Sequence, residues 1–389
     1  MRCGRFWSGP VRSGPVRSGL VRGTDELPVR TSGEGAGTGV GPGWDRGGMA
    51  GRTVPRCGCP AEYPEGVRAR VPASSANLGP GFDTLAIALD RYVEVEVEPA
   101  SRLIVRSEGE GAGFSDDPSH LAARVAIDVA GHDRLAITVR SEIPIARGLG
   151  SSAALAVAAA AAAGAKDPLA VATQIDGHPD NAAASMVGGF VAATMVKGGV
   201  RAVRLPLDVS LAFVVIVPDV TLATSKARNV LPAEVSRENA AFNLGRMALL
   251  IAGLADSRLL IKEATEDRLH QDYRSPLFPA APKLLGRLSA AGALAVCWSG
   301  AGPSLMGICR GEDAVRVQTG AQVALAETDI PGKALLLRPD MHGLVLDGDD
   351  GEDFWEGRSS LVTGEPAAKS ASGPVPASGA QFYDFDSGS

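Results

Sequence analysis

Hydrophobic and polar residues alternate along several short stretches of the chain. The strictest alternation runs through residues 92–98, where valines occupy every second position and glutamates lie between them. Successive side chains of a strand point to opposite faces, so this pattern predicts a strand with one buried face and one face in solvent. Residues 67–71 and 135–139 predict further strands of the same half-buried antiparallel sheet.

One long apolar run lacks this alternation. All eleven residues from 153 to 163 are Ala, Leu or Val, and Gly164 follows them. The run predicts a helix that is buried nearly all round and ends at Gly164. It is shorter than the roughly 20 apolar residues that span a membrane, so it predicts a buried helix and no membrane anchor.

The order of the remaining elements predicts the fold class. Helical patterns cover residues 119–130, 168–175, 236–252, 257–266 and 279–290, and strand patterns cover residues 186–195, 211–217, 293–298 and 304–309. Strands and helices are mixed without a regular βαβ rhythm, which favours an α+β fold over a doubly wound sheet. The pattern changes near residues 218–224, which predicts two lobes with a ligand cleft between them.

Both ends of the chain differ in composition from the middle. Residues 1–66 contain 16 glycines and three nearly identical pentamers, and they predict a disordered low-complexity extension. An organelle transit peptide or an anion-binding arm are the alternatives, because the first 24 residues carry five arginines and no acid. Residues 347–389 begin with six acids in ten positions and continue in Ser, Ala, Gly and Pro, which predicts a disordered acidic tail.

Charge and cysteine content narrow the function classes. The formal net charge is −6, and no basic stripe with aromatic residues crosses the middle of the chain, which argues against nucleic-acid binding. The five cysteines form neither a disulfide framework nor a zinc site. Without a recognisable secretory signal, these features predict a cytoplasmic protein with a small-molecule partner.

A glycine turn precedes the alanine-rich helix and predicts a polyphosphate site. Two glycines and two serines stand directly before the helix, where unpaired backbone N–H groups and the helix dipole attract anions. The alternative is an ordinary N-cap. The candidate residues are Pro144, Ile145, Ala146, Arg147, Gly148, Leu149, Gly150, Ser151, Ser152, Ala153 and Ala154.

Further candidate chemistry lies in three other segments and in two arginines. Two more glycine-containing loops, residues 72–83 and 299–304, each follow a predicted strand, and three such loops favour one shared site over separate turns. Residues 176–181 combine two carboxylates, an imidazole and an amide, which suit Mg²⁺ and an acceptor hydroxyl, although a capping turn is the alternative. The guanidinium groups of Arg228 and Arg274 match a substrate carboxylate.

Together these motifs resemble the homoserine kinases of the GHMP superfamily of small-molecule kinases. The resemblance covers residues 67–346. Within this stretch, residues 224–232 and 267–274 are two further motifs that carry it. It implies a two-lobed fold, with a ribosomal-S5-like ATP-binding domain at residues 67–220 and a ferredoxin-like domain at residues 221–346. A homodimer is also compatible with it. One departure is Ser74, which stands where mevalonate kinases have a lysine.

The resemblance further implies an activity and a role for each motif. The activity is ATP-dependent phosphorylation of the side-chain hydroxyl of L-homoserine, giving O-phospho-L-homoserine for threonine biosynthesis. Residues 144–154 would hold the ATP phosphates, and Ser152 with Asp176 would face Mg²⁺. The amino acid site would contain Asn77, Asp83, His178, Asp180, Asn181, Arg228 and Arg274, with Asn77 and Asp180 beside the reacting hydroxyl.

Within that site, the resemblance makes Asp180 a group that orients the hydroxyl, not a strong base. Three other functions remain open from the sequence: a mevalonate- or sugar-type kinase, a non-catalytic ATP-binding regulator on the same fold, and an interaction protein that uses its two ends.

Overall fold

The protein is described by a computed structural model that covers residues 66–347. The predictions for residues 1–65 and 348–389 therefore lie outside the described residues. Eleven strands are described: β1 (Val67–Asn77), β2 (Gly81–Pro99), β3 (Ile104–Gly109), β4 (Leu135–Ser141), β5 (Phe190–Val196), β6 (Gly199–Leu205), β7 (Leu211–Pro218), β8 (Ala295–Trp298), β9 (Leu305–Arg310), β10 (Gly332–Leu337) and β11 (Val345–Leu346).

Nine α-helices accompany these strands in the described part of the chain. They are α1 (Leu121–Ala130), α2 (Ser151–Ala162), α3 (Pro168–Asp176), α4 (Asp180–Val187), α5 (Thr224–Asn229), α6 (Arg237–Ala255), α7 (Gln271–Arg274), α8 (Ala281–Ala290) and α9 (Ala314–Glu327). Short 3-10 turns cover Ser257–Leu259, Lys262–Thr265, Ser275–Leu277 and Gly311–Asp313. The predicted helix at residues 257–266 was wrong, because the chain forms two of these short turns there.

The first lobe is built on a seven-stranded sheet. Its order is β11-β1-β2-β4-β3, and β5 pairs with β2 and with β6. All pairs are antiparallel except β3 with β4. The alternation at residues 92–98 appears as predicted, since Val93, Val95 and Val97 are buried. The predicted strand at residues 186–195 was wrong in its first half, where α4 occupies the chain before Gly188.

Helix α2 lies at the centre of this lobe and confirms the predicted buried helix. Nine of its twelve residues are buried, and all nine are Ala or Val. Such small side chains let the helix axis approach the sheet and the neighbouring helices closely. The helix starts at Ser151, so its N-terminus follows directly on the glycine turn.

The second lobe is a four-stranded antiparallel sheet in the order β10-β7-β9-β8. Helices lie between β7 and β8 and between β9 and β10, which is the β-α-β-β-α-β arrangement of ferredoxin-like domains. The predicted α+β class with two lobes is confirmed. Strand β7 belongs to this second sheet, although the predicted domain boundary at residue 220 assigned it to the first lobe.

The end of the described chain returns to the first lobe. Strand β11 pairs with β1, and Asp340 anchors the turn that precedes it. The Asp340 carboxylate accepts hydrogen bonds from the N–H groups of His342 at 3.0 Å and Gly343 at 2.7 Å, and from the Tyr92 hydroxyl at 3.0 Å. Within residues 66–347, no helix has the length and apolar character that crossing a membrane requires.

The packing of α2 predicts a strong effect of side-chain volume on stability. Ala158 has no exposed surface, so Ala158→Leu must displace its neighbours and should lower the free energy of unfolding by about 1–3 kcal/mol. The matched control is Ala248→Leu on the exposed face of α6, which should change it by no more than about 0.5 kcal/mol. Urea unfolding of both variants checks this, and equal losses would show that α2 is not tightly packed.

Candidate active site

Three glycine-containing segments meet at the N-terminus of α2. Residues 72–83, predicted as a loop, are mostly the end of β1 and the start of β2, with a turn only at residues 78–80. The N–H of Ser74 in this first segment donates to the Leu149 carbonyl at 3.2 Å, which joins it to residues 144–150 before α2, called the phosphate turn here after its predicted ligand. The hydroxyl of Ser299 donates to the Gly148 carbonyl at 2.6 Å, which joins the third loop to the same turn. The three loops that the sequence singled out therefore lie in one place.

The phosphate turn is held so closely that two positions require glycine. Gly148 and Gly150 both have positive φ, at 76° and 65°. A Cβ at Gly148 would collide with the Ser299 carbonyl, and a Cβ at Gly150 would collide with the Ser74 hydroxyl. Both the backbone conformation and the lack of space therefore exclude larger residues.

The start of α2 has the properties of an anion site. Gly150 occupies the N-cap position and offers no side chain, and in the part of the chain that the structure describes no side-chain hydrogen bond caps this helix start. The first-turn N–H groups and the positive end of the helix dipole remain available to an anion. Ser152 adds an exposed hydroxyl, and Ser151 is half-buried beside it. This arrangement supports the prediction that the start of α2 binds phosphate.

Arg147 has a different position from the other residues of the turn. Its guanidinium donates to the backbone carbonyls of Pro218 at 2.8 Å and Asp219 at 3.2 Å. These carbonyls lie at the end of β7 and directly after it, so Arg147 connects the phosphate turn to the second lobe.

A cavity of about 580 Å³ opens beside the turn and collects most of the predicted residues. Pro144, Ala153 and Ala154 do not line it, because they are buried behind the turn. The predicted residues that do line it are Asn77, Asp83, Ile145, Ala146, Arg147, Gly148, Leu149, Gly150, Ser151, Ser152, Asp176, His178, Asp180, Asn181, Arg228 and Arg274.

Asp83 and Arg228 both line this cavity and form a two-pronged ion pair. The Nη1 and Nη2 atoms of Arg228 lie 3.1 Å and 2.5 Å from the two carboxylate oxygens of Asp83. The Nε of Arg228 is buried without a hydrogen-bond partner in the described residues. His178 adds a further contact, since its Nε2 lies 3.9 Å from Asp83 Oδ2.

Arg274 is a buried cation in the wall of the same cavity. Only 1% of its surface is exposed, and within residues 66–347 its guanidinium pairs with no carboxylate. Its partners are the carbonyls of Ala227 and Gly300 and the imidazole of His270. Burial, and then the charge of Arg228, lower the pKa of Arg274 to about 10, so it remains charged at neutral pH.

The loop that carries Asn77 and Asp83 is conformationally strained. Both residues have positive φ, at 70° and 53°, which costs a non-glycine residue about 1–3 kcal/mol. The Asn77 side chain stabilises this shape, because its oxygen accepts from the Asp83 N–H at 3.0 Å and its nitrogen donates to the Gly300 carbonyl at 2.9 Å. Asn77 thus links the first loop to the third.

Asp180 and Asn181 begin α4 and face the N-terminus of α2. Asp180 is buried, and its carboxylate accepts from the Asn181 N–H at 2.6 Å. Burial is the largest cause that raises the pKa of Asp180 to about 6, and the negative charge of Asp83 acts in the same direction. The Asn181 side chain accepts from the Ser74 hydroxyl at 3.0 Å, so it holds the first loop against α4.

Ser152 and Asp176 provide two oxygen ligands side by side. The Ser152 hydroxyl lies 3.1 Å and 3.3 Å from the two Asp176 carboxylate oxygens. Mg²⁺ prefers hard oxygen ligands and commonly keeps waters and substrate phosphates besides one or two protein groups. The donor set therefore fits Mg²⁺, although residues 66–347 contain no cluster of three or more His, Cys, Asp or Glu side chains.

The structure also brings residues to the site that the sequence reasoning did not assign. Ser75 and Ser299 are buried and share a hydrogen bond at 2.9 Å between the first and third loops. Phe114 and His120 line the far end of the cavity with apolar neighbours from β2 and β4. No motif in the sequence marked Phe114 or His120, because each is an isolated residue outside the glycine loops.

Comparison with known proteins identifies the class to which this fold and site belong. The family model for the N-terminal domain of GHMP kinases matches residues 120–189, and the model for their C-terminal domain matches residues 240–322. The homoserine kinase of Moorella thermoacetica is 39% identical over 292 residues, which is 71% of this chain and 98% of that protein. The homoserine kinase of Streptomyces coelicolor is 43% identical over 288 residues, or 69% of this chain and 91% of that protein.

A solved structure agrees with these relatives. The crystal structure of homoserine kinase from Cytophaga hutchinsonii superposes with a TM-score of 0.65 at 26% sequence identity, covering 72% of this chain and 97% of that chain. The chain belongs to the homoserine kinase family of the GHMP kinases. The resemblance inferred from the motifs is thereby confirmed, and kinases of this family use ATP.

The close approach at Gly150 makes a prediction about nucleotide binding. Gly150→Ala should raise KM for ATP about tenfold or more, because its Cβ would displace the Ser74 hydroxyl and shift the turn. Gly164→Ala is the matched control, since Gly164 also has positive φ but faces open space. Both variants should lose about 1–3 kcal/mol of stability, and only Gly150→Ala should weaken ATP binding. Equal KM values for ATP would contradict a phosphate site at this turn.

Proposed function

We propose that this chain transfers the γ-phosphoryl group of ATP to the side-chain hydroxyl of L-homoserine, giving O-phospho-L-homoserine. The observation that carries the proposal is the buried cation of Arg274 beside the Asp83–Arg228 ion pair, in the same cavity as the uncapped start of α2. One part of this cavity suits a polyphosphate and another suits a small zwitterion.

At the phosphate end, the proposed contacts are backbone N–H groups and the hydroxyls of Ser151 and Ser152. Donors at a helix start bind phosphate oxygens in fixed directions without side-chain ordering. Ser152 and Asp176 would hold Mg²⁺, which when bound neutralises the negative charge of the transferred group. These residues already lie together in the described structure.

At the amino acid end, the substrate would replace interactions that exist within the protein. The carboxylate of homoserine would bind Arg274 and the free Nε side of Arg228, and its ammonium group would bind Asp83. Because Asp83 and Arg228 are paired with each other, a zwitterion supplies a counter-charge to each of them when it enters. A ligand with only one of the two charges leaves a partner unpaired, which costs free energy.

The reacting hydroxyl would lie near Asp180, between the amino acid end and the start of α2. Phosphoryl transfer needs mainly positioning and charge neutralisation, because little bond formation precedes the transition state. Asp180 would accept a hydrogen bond from the hydroxyl and orient its oxygen toward the phosphorus. The position of Ser74 disfavours a mevalonate-type site, since Ser74 is spent on Asn181 and offers no cation.

Substrate analogues test the proposed pocket. ADP release should be observed with L-homoserine, and kcat/KM should fall about 30-fold to 3,000-fold for 4-hydroxybutanoate, which lacks the ammonium, and for 3-aminopropan-1-ol, which lacks the carboxylate. The loss follows from leaving one desolvated charge unpaired, at about 2–5 kcal/mol. Asp83→Asn is the matched control. It should reduce the difference in kcat/KM between homoserine and 4-hydroxybutanoate, and it should leave the difference between homoserine and 3-aminopropan-1-ol unchanged. Turnover of mevalonate or a sugar, with none of homoserine, would refute the proposal.

The raised pKa of Asp180 predicts a pH dependence of catalysis. If the ionised carboxylate orients the hydroxyl, kcat/KM should fall on the acid side with a midpoint near pH 6. Asp180→Asn should lower kcat and remove this acid limb. A limb that persists in the Asn variant would assign the titration to another group.

The same shift predicts the sign of an effect on stability. The folded state holds the Asp180 proton more tightly than the unfolded chain, whose pKa is near 3.8, so the free energy of unfolding falls as pH rises from 3.8 to about 6. Asp180→Asn should remove this decrease in the free energy of unfolding. The variant should therefore become more stable relative to the unmodified chain as pH rises from 3.8 to about 6. Chemical unfolding at pH 4 and pH 7 measures the difference.

A further inference from the structure

A buried histidine lies directly behind Arg274 and is not part of the cavity wall. His270 has no exposed surface. Its Nδ1 lies 3.0 Å from Nη1 of Arg274, and its Nε2 lies 2.7 Å from the Gly79 carbonyl. The imidazole therefore connects the buried cation to the loop that carries Asn77 and Asp83.

These two contacts define the protonation state of the ring. An arginine guanidinium can only donate, so Nδ1 must accept, and the proton must be on Nε2, which donates to the Gly79 carbonyl. A protonated ring could not accept from Arg274 and would place two cations together. Burial, as the largest cause, lowers the pKa of His270, which agrees with a neutral ring at neutral pH.

The surroundings keep His270 in this orientation. The ring stacks on Phe82 with a centroid separation of 5.2 Å and an interplanar angle of 28°, and Phe82 also lies 5.6 Å below the guanidinium of Arg274. The backbone of His270 is held as well, because its N–H donates to Asp267 Oδ2 at 2.8 Å. Asp267 accepts three backbone N–H groups of this turn and the Asn243 amide, so its carboxylate is satisfied without reaching Arg274.

The neutral ring has an electrostatic consequence. A carboxylate next to Arg274 would orient the guanidinium equally well but would neutralise its charge and compete with any incoming anion. An imidazole acceptor satisfies one N–H group and contributes no charge. Arg274 is thereby held toward the cavity with its positive charge uncompensated by a direct ion pair.

From this geometry we infer that His270 is a positioning residue for the substrate carboxylate, which aims Arg274 as a neutral acceptor and preserves its charge for that carboxylate. The inference rests on the proposed function, because the carboxylate is that of homoserine.

Two nearly isosteric variants test the inference. In both His270→Asn and His270→Asp, a side-chain oxygen can occupy the Nδ1 position and accept from Arg274, but only Asp carries a charge. We expect KM for homoserine to be about tenfold or more higher in His270→Asp than in His270→Asn, with KM for ATP equal within about twofold. With 3-aminopropan-1-ol, which has no carboxylate, the two variants should not differ.

A merely structural role for His270 gives a different result. Both variants would then change KM for homoserine, KM for ATP and kcat alike, and the penalty in His270→Asp would persist with 3-aminopropan-1-ol. Either result would overturn the inference. Failure of the proposed function is distinguished separately, because in that case the unmodified chain would not phosphorylate homoserine at all.

A measurement on the chain without substitutions tests the inference even if a variant does not fold. Long-range ¹H–¹⁵N spectra of the side chains resolve the tautomer of each of the five histidines in the full chain. At pH 7 the most buried ring should be the neutral Nε2–H tautomer, and saturating homoserine should shift its Nδ1 resonance. A charged ring, an Nδ1–H tautomer, or an Nδ1 resonance unmoved by homoserine would each overturn the inference.

Discussion

The close contact of three backbone segments at the start of α2 is the constraint on which the rest of this structure depends. Gly148 and Gly150 allow the phosphate turn to approach Ser299 and Ser74 without intervening side chains. Since β1 and β9 carry the adjoining loops, this contact also fixes the two lobes relative to the helix. The cavity, the exposed serine hydroxyl and the uncapped N–H groups all follow from that approach.

Charge in the cavity is arranged around one cation without a direct ion partner. Burying a guanidinium without a carboxylate costs free energy, and the protein retains Arg274 by giving it carbonyl and imidazole acceptors. Asp83 and Arg228 neutralise each other nearby. Arg274 therefore offers a cation without a direct ion partner at the amino acid end, and the start of α2 offers a positive helix terminus at the phosphate end, which suits a zwitterion and an anionic cosubstrate.

Much of this site could be predicted from the sequence, and the missing parts have physical reasons. The unbroken run of Ala, Leu and Val after Ser152 predicts a buried helix. The observed start of α2 at Ser151 agrees with the glycine turn that precedes it. The sheet membership of β7 could not be read from residues 211–217, because an apolar run does not specify its partners. The sequence motif at residues 267–274 contains His270 but gave it no role. That role could not be predicted, because it depends on a contact with Gly79, which is 191 positions away in the chain.

The most direct test of the account is a crystal structure with a non-hydrolysable ATP analogue and L-homoserine bound together. We expect phosphate oxygens on the N–H groups at the start of α2, the homoserine carboxylate on Arg274, and the homoserine hydroxyl within hydrogen-bonding distance of Asp180. Phosphates bound away from the glycine turn, or a carboxylate that does not contact Arg274, would contradict it.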